Sequence, residues 1–102
     1  MKLLDGKSCV VTGGGSGVGR STAVLFAEHG ASVVVGDVRE AWAAETVELA
    51  EAAGGKAVAA TCDVSKEADV EALVARAVSE FGRLDVMHNT PLKILPAFGK
   101  VG

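Results

Sequence analysis

The stretch Thr12-Gly13-Gly14-Gly15-Ser16-Gly17-Val18-Gly19 decides the fold of this chain. It follows a short apolar run at residues 9–11 that is typical of a β-strand, and it precedes a helix-like segment at residues 21–28. Glycines at a strand-to-helix junction let the backbone turn tightly and approach a phosphate closely, and the N–H groups at the start of the helix attract the anion. The stretch therefore predicts a loop that binds the pyrophosphate of a dinucleotide.

The composition is typical of one soluble globular domain. Of the 102 residues, 49% are apolar and 23% are charged, which allows one hydrophobic core but not two domains. The net charge of -3 offers no basic surface, so neither nucleic acid nor an anionic membrane is an expected partner. No apolar stretch reaches the roughly 20 residues of a membrane span, and residues 1–6 do not form a secretory signal, so a cytoplasmic protein is expected.

Strand-like and helix-like segments alternate along the chain. Val70, Leu73, Ala77 and Phe81 recur with helical spacing, and the apolar run at residues 33–35 is typical of a strand buried on both faces. Strands are expected at residues 8–12, 31–37, 56–62 and 84–88, and helices at about 18–29, 40–53 and, from an N-cap at Ser65, up to Phe81. This order predicts an α/β fold with a Rossmann-like parallel sheet of about four strands in the order 3-2-1-4 and helices on both faces.

An acid stands where the second predicted strand ends. Asp37 follows Gly19 by 18 residues, close to the roughly 20 at which a carboxylate accepts hydrogen bonds from the adenosine ribose. Because this carboxylate would repel the 2′-phosphate of NADP, NAD is the expected cofactor, and Arg39 nearby leaves NADP as the less favoured choice. The competing interpretations are a flexible turn at the glycines and a solvated acid at Asp37.

Cysteines and histidines give no sign of a reactive centre. Cys9 and Cys62 fall in predicted strands without a metal-ligand spacing, so both are expected to be buried, reduced thiols, and no metal site is predicted. His88 ends the fourth predicted strand without a second catalytic group, and Trp42 is interpreted as a helix-packing residue.

The sequence resembles the short-chain dehydrogenase/reductase family in three motifs: Thr12-Gly-x-x-x-Gly-x-Gly19, Asp63-Val64 after the third strand, and Phe81-Gly82-Arg83-Leu84-Asp85-Val86 before the fourth. The resemblance extends over residues 3–89. It implies the following cofactor contacts: Gly13, Ser16, Gly17, Val18 and Gly19 around the pyrophosphate and nearby ribose, Asp37 and Val38 on the adenosine ribose, Asp63 and Val64 beside the adenine, and Asn89 after the fourth strand. For Asp63, a role in starting the third helix is the alternative.

The resemblance ends at Asn89, because Thr90-Pro91-Leu92 replaces the rest of the family's Asn-Asn-Ala-Gly segment. Residues 1–89 are therefore expected to form an NAD-binding Rossmann-type half-domain, incomplete relative to the family fold, and residues 90–102 a divergent tail. The family's catalytic serine and Tyr-x-x-x-Lys pair are missing, and the chain contains no tyrosine. No residue is therefore assigned a catalytic role.

Three functions follow as hypotheses. The first is the NAD-binding portion of a short-chain dehydrogenase, whose family reaction moves hydride between an alcohol or carbonyl substrate and NAD, with this chain alone inactive. The second is a non-catalytic interaction protein that associates with itself or with a full-length relative through the exposed fourth strand. The third, less favoured, is another Rossmann-type nucleotide site such as that of a methyltransferase.

Overall fold

The structure is a computed structural model that describes residues 2–89. Strands and helices alternate in the order β1 (Ser8–Thr12), α1 (Gly17–Glu28), β2 (Ser32–Asp37), α2 (Glu40–Ala52), β3 (Lys56–Thr61), α3 (Glu67–Phe81) and β4 (Val86–Asn89). The alternation expected from the sequence is confirmed. The predicted tail at residues 90–102 lies outside the described residues.

The four strands form one parallel sheet in the order β3-β2-β1-β4, as predicted. In the register of the central strands, Thr12 lies opposite Gly36 on one side and Asn89 on the other. The carboxyl ends of β1, β2 and β4 therefore meet at one edge of the sheet. In open α/β sheets this edge is where ligands bind.

Helices cover both faces of the sheet. On one face, α1 and α2 pack small side chains on the sheet through a buried cluster that includes Cys9, Val11, Val33, Val35, Ala23, Ala27 and Ala50. On the other face, Leu73 and Ala77 of α3 pack against Val10 and Val34. Alternate residues of β1 and β2 thus point into two cores, which explains why these strands are apolar without interruption.

Glycine and alanine set the distance between α1 and the start of β3. A Cβ on Gly55 would lie 2.6 Å from the Cβ of Ala27, so neither position has room for a larger side chain. Gly30 and Gly82 follow α1 and α3 with φ of +92° and +82°, in the left-handed region in which glycine commonly ends a helix. The predicted ends of these two helices are confirmed.

The start of α3 differs from the prediction. Its N-cap is Lys66, without a side-chain cap, and not Ser65. The Ser65 hydroxyl and N–H both donate to Oδ1 of Asp63, at 2.6 and 2.9 Å. Because the carboxylate of Asp63 engages Ser65 in a local turn, the serine is not available to cap the helix.

The fourth strand begins two residues later than predicted. The Ser8 N–H donates to Oδ2 of Asp85 at 2.9 Å, and the Asp85 N–H donates to the Ser8 carbonyl at 2.8 Å. The Asp85 carboxylate thus accepts the hydrogen bond from Ser8 that a backbone carbonyl of the neighbouring strand would otherwise accept. Regular pairing with β1 starts only at Val86, opposite Cys9.

Within residues 2–89, β4 pairs with β1 alone, so its other edge is open in this part of the chain. Cys9 and Cys62 are buried and free of disulfide bonds, as expected. Burial raises the pKa of the Cys9 thiol to about 11, which keeps it protonated. Over the same residues, no helix combines the length and the apolar character that crossing a membrane requires.

Candidate functional site

The loop between β1 and α1 uses its glycines for two different reasons. Gly13 and Gly17 have φ of +65° and +54°, a conformation that L side chains rarely adopt. A Cβ on Gly19, in contrast, would overlap the backbone carbonyl of Gly13. The first turn of α1 therefore lies directly against the loop, which leaves the N–H groups at the start of the helix facing the same edge of the sheet.

Hydrogen bonds tie this loop to the end of β2. The Gly14 N–H donates to the Gly36 carbonyl at 3.0 Å. The Gly15 N–H donates to Oδ2 of Asp37 at 2.8 Å, in a buried position. A Cβ on Gly15 would lie 2.7 Å from the same oxygen. The carboxylate and the loop thus form one connected structure, and the glycine is needed for their close approach.

Asp37 is a buried, charged group that is held by its surroundings. Its side chain is 1% exposed, and Oδ1 accepts hydrogen bonds from the backbone N–H and Nε of Arg39 at 2.9 and 3.1 Å. Burial by itself raises the pKa of this carboxyl, but the hydrogen bonds from Arg39 and Gly15 outweigh it and hold the pKa below its usual value. Asp37 is therefore a carboxylate at neutral pH.

Arg39 connects this acid to the loop and to α2. Its guanidinium carbon lies 3.8 Å from the centroid of the Trp42 ring, a cation–π contact. Its Nη2 lies 3.4 Å from the Ser16 hydroxyl of the glycine loop. Trp42 is 42% exposed, so it is only partly buried. The Arg39 guanidinium stacks on its ring. The spacing of three residues between Arg39 and Trp42 is the sequence signal that could have indicated this contact.

The fourth strand joins the loop through an amide. The Thr12 hydroxyl donates to Oδ1 of Asn89 at 2.6 Å. The threonine that precedes the glycines therefore lies beside the asparagine that the resemblance places at the end of β4. His88, one residue earlier, contributes its backbone carbonyl at 3.5 Å from the same hydroxyl.

Asp63 and Val64 follow β3 but are not bonded to the loop in the same way. The backbone N–H of Asp63 donates to Oδ2 of Asp69 at 3.0 Å, and its carboxylate accepts from Ser65. The hydrogen bonds from the Ser65 hydroxyl and N–H lower the pKa of Asp63. These contacts favour the interpretation that Asp63 shapes the entry to α3. Val64 is 38% exposed and Val38 is 46% exposed, which leaves two apolar surfaces near this edge.

Of the residues that the sequence singled out, Asp37 is hydrogen-bonded to the glycine loop and Asn89 to Thr12 at the start of that loop, whereas the hydrogen bonds of Asp63 go to Ser65 and Asp69. The arrangement fits a dinucleotide, because side chains are excluded where backbone must approach a phosphate and a fixed carboxylate follows the loop. Thr46, which the sequence gave no reason to select, also reaches the loop: its hydroxyl donates to the Gly14 carbonyl at 2.7 Å. Among residues 2–89, no three His, Cys, Asp or Glu side chains are grouped to hold a metal ion.

Comparison with known proteins defines the class. The family model of short chain dehydrogenases matches residues 7–91. The chain is 49% identical over 88 residues to Tropinone reductase-like 1 of Erythroxylum coca, an alignment that covers 86% of this chain and 31% of that relative. The chain therefore belongs to the short-chain dehydrogenase family, whose members are oxidoreductases with a nucleotide-binding Rossmann fold.

Solved structures agree with this assignment. A hydroxysteroid dehydrogenase from Escherichia coli superposes with a TM-score of 0.81 at 37% identity, over 92% of this chain and 43% of that chain. A short chain dehydrogenase/reductase from Burkholderia phymatum in complex with NAD gives a TM-score of 0.78 at 40% identity, over 85% of this chain and 31% of that chain. The chain spans about a third of the length of the curated relatives it matches.

We expect stability to fall as the pH drops below about 4. The folded-state pKa of Asp37 lies below the value of about 3.9 typical of an unfolded chain. Such a group stabilises the fold above the unfolded pKa, and this contribution is lost as the pH falls through the folded pKa. Urea unfolding at pH 6, 4 and 3 checks the prediction. Asp37→Asn should show a weaker pH dependence than the unmodified chain, and equal dependence in the two proteins would contradict it.

Proposed function

We propose that residues 1–89 are an NAD-binding Rossmann-type half-domain of a short-chain dehydrogenase. The observation that carries the proposal is the buried hydrogen bond of 2.8 Å between the Gly15 N–H and Asp37, because it joins a phosphate-type loop to a ribose-type carboxylate. When bound, the cofactor supplies a hydride acceptor or donor. The residues proposed to hold it are Gly13, Ser16, Gly17, Val18, Gly19, Asp37, Val38, Asp63, Val64 and Asn89.

The preference for NAD over NADP is part of the proposal. Asp37 is charged, and the nearest cation, Arg39, is already paired with it at 3.1 Å. The guanidinium is therefore already engaged, and a 2′-phosphate placed here would compete with Asp37 for the same donors and would be repelled by its carboxylate. A ribose diol, in contrast, can donate hydrogen bonds to the carboxylate without displacing the arginine completely.

Titration with the two reduced cofactors tests this preference. We expect NADH to bind about tenfold or more tightly than NADPH, since like charges about 4 Å apart repel by roughly 1 to 4 kcal/mol near a protein surface. Fluorescence titration of the purified chain with each cofactor at equal ionic strength gives the ratio. Equal affinity, or tighter binding of NADPH, would overturn the assignment to NAD.

We further propose that this chain alone binds cofactor without turning over an alcohol. The support is chemical: the family's proton transfer uses a tyrosine phenol, and the 102 residues contain no tyrosine. Incubation with NAD and a panel of secondary alcohols should produce no absorbance at the wavelength of NADH above that of a blank. Turnover that scales with the concentration of the purified chain would refute the proposal.

A cytoplasmic location stays a prediction from the sequence.

The alternative function is interaction with a second copy or with a full-length relative. It is supported by the open edge of β4, which pairs only with β1 within residues 2–89. The half-buried residues Val86, Met87 and His88 lie on this strand. Light scattering of the chain alone, and mixed with a complete short-chain dehydrogenase, distinguishes cofactor binding alone from protein association. A chain that stays monomeric and does not bind the enzyme rules out the alternative.

A further inference from the structure

The peptide unit between Gly14 and Gly15 is held at both of its polar ends. Its N–H donates to Oδ2 of Asp37 at 2.8 Å. Its carbonyl accepts a hydrogen bond from the Thr46 hydroxyl at 2.7 Å. Because the N–H and the carbonyl belong to one planar group, two bonds on opposite sides fix its orientation. This peptide lies in the middle of the glycine loop and directly precedes Ser16 and the start of α1.

Thr46 makes this contact from a separate element. It lies within α2, 32 residues along the chain from Gly14, and is fully buried. Its Oγ1 accepts a hydrogen bond from Nε of Arg20 at 2.9 Å. The guanidinium of Arg20 also donates to the Trp42 carbonyl at 3.2 Å and to Glu45 at 2.9 Å. Arg20 thus links α1 to α2 and holds the Thr46 hydroxyl in place.

A threonine inside a helix commonly donates to the carbonyl four residues earlier, which would make Thr46 a purely local feature of α2. That carbonyl belongs to Trp42 and lies 3.2 Å from the hydroxyl, whereas the Gly14 carbonyl lies at 2.7 Å. A hydroxyl has one proton, and Arg20 occupies one of its lone pairs. Because the Gly14 carbonyl is the closer acceptor, the hydroxyl donates its proton to the glycine loop and not to the Trp42 carbonyl of its own helix.

We propose that Thr46 is a positioning residue for the glycine loop. It holds the Gly14–Gly15 peptide in the orientation that presents the following N–H groups to a pyrophosphate, and Arg20 orients its hydroxyl. The part of this inference that concerns the ligand rests on the proposed dinucleotide binding. The part that concerns the loop does not, because it depends only on hydrogen bonds within the chain.

The experiment compares Thr46→Val, which removes the hydroxyl at nearly constant volume, with Thr46→Ser, which retains it. Hydrogen exchange of the Gly15 amide, followed by NMR and normalised to the core amide of Val34, reports on the loop in the cofactor-free protein. Fluorescence titration with NADH reports on the ligand. We expect Thr46→Val to speed Gly15 exchange about tenfold relative to Val34 and to raise the Kd for NADH about tenfold, because a buried carbonyl loses its donor.

The serine variant separates hydroxyl from packing, and it should return both values to within about twofold of those of the unmodified chain. Ala77→Gly is the control on α3, away from the loop. It lowers overall stability and should leave the ratio of Gly15 to Val34 exchange and the Kd for NADH unchanged. If Thr46→Val does not fold, Arg20→Ala replaces it, with exchange of Gly15 expected to rise about threefold.

The outcomes decide each part separately. Normal Gly15 exchange in Thr46→Val, or failure of the serine to restore it, overturns the positioning role. Fast exchange with an unchanged Kd for NADH overturns the link to the pyrophosphate. Absence of NADH binding by the unmodified chain contradicts the proposed function, while the exchange data still decide whether Thr46 holds the loop.

Discussion

Replacement of Gly19 by alanine is expected to disrupt the proposed dinucleotide site and to destabilise the fold by about 2 to 3 kcal/mol, in the range seen for overpacked positions. The added Cβ would overlap the carbonyl of Gly13, a backbone atom that cannot move away by rotation of a side chain. Relief requires α1 to move away from the loop. Alanine favours a helix over glycine by about 1 kcal/mol, so this expected net loss is smaller than the steric cost alone.

The Kd for NADH of Gly19→Ala should rise at least about tenfold, since a shift of about 1 Å misplaces every N–H at the start of α1. Urea unfolding and NADH titration measure the two effects. Ser21→Ala is the matched control, because Ser21 is exposed on the same helix. This substitution removes an oxygen and adds no atom. A Gly19→Ala protein that binds NADH as tightly as the Ser21→Ala protein would show that the loop does not depend on this close contact.

Local patterns were sufficient to predict the order of the elements and the topology of the sheet. Apolar runs in β1 and β2 face helices on both sides, so their burial is visible in the sequence without knowledge of the partners. The glycines at positions 13 and 17 are equally visible, because their backbone conformation excludes most other residues. The spacing to Asp37 then follows from the length of α1 and β2.

Contacts between distant side chains could not be predicted in this way. The hydroxyl of Thr46 reaches Gly14 only because α1 and α2 lie on the same face of the sheet, and nothing in the neighbouring sequence distinguishes it from an ordinary buried threonine. Competition between local groups was also hidden. Both Ser65 and Asp63 could shape the start of α3, and the carboxylate prevails because it accepts two hydrogen bonds from the serine.

Asp37→Ala is expected to have the second large effect, and it separates the structural role of this acid from its proposed role toward the ribose. Without the carboxylate, the buried Gly15 N–H loses its acceptor, and we expect a loss of stability of about 2 to 3 kcal/mol. The cost for Arg39 is smaller, because its side chain is 39% exposed and can turn toward water. Urea unfolding measures the total.

Cofactor binding by Asp37→Ala should change in a direction that simple destabilisation cannot produce. NADH loses the acceptor for its ribose diol, so its Kd should rise at least about tenfold, whereas NADPH gains an unpaired guanidinium for its 2′-phosphate. The ratio of the two Kd values should therefore move toward NADPH. Glu80→Ala, which breaks the exposed Arg76–Glu80 pair at 3.0 Å on α3, is the control and should leave the ratio unchanged. If Asp37→Ala weakens both cofactors equally, the carboxylate only holds the loop, and discrimination between NAD and NADP resides in other residues.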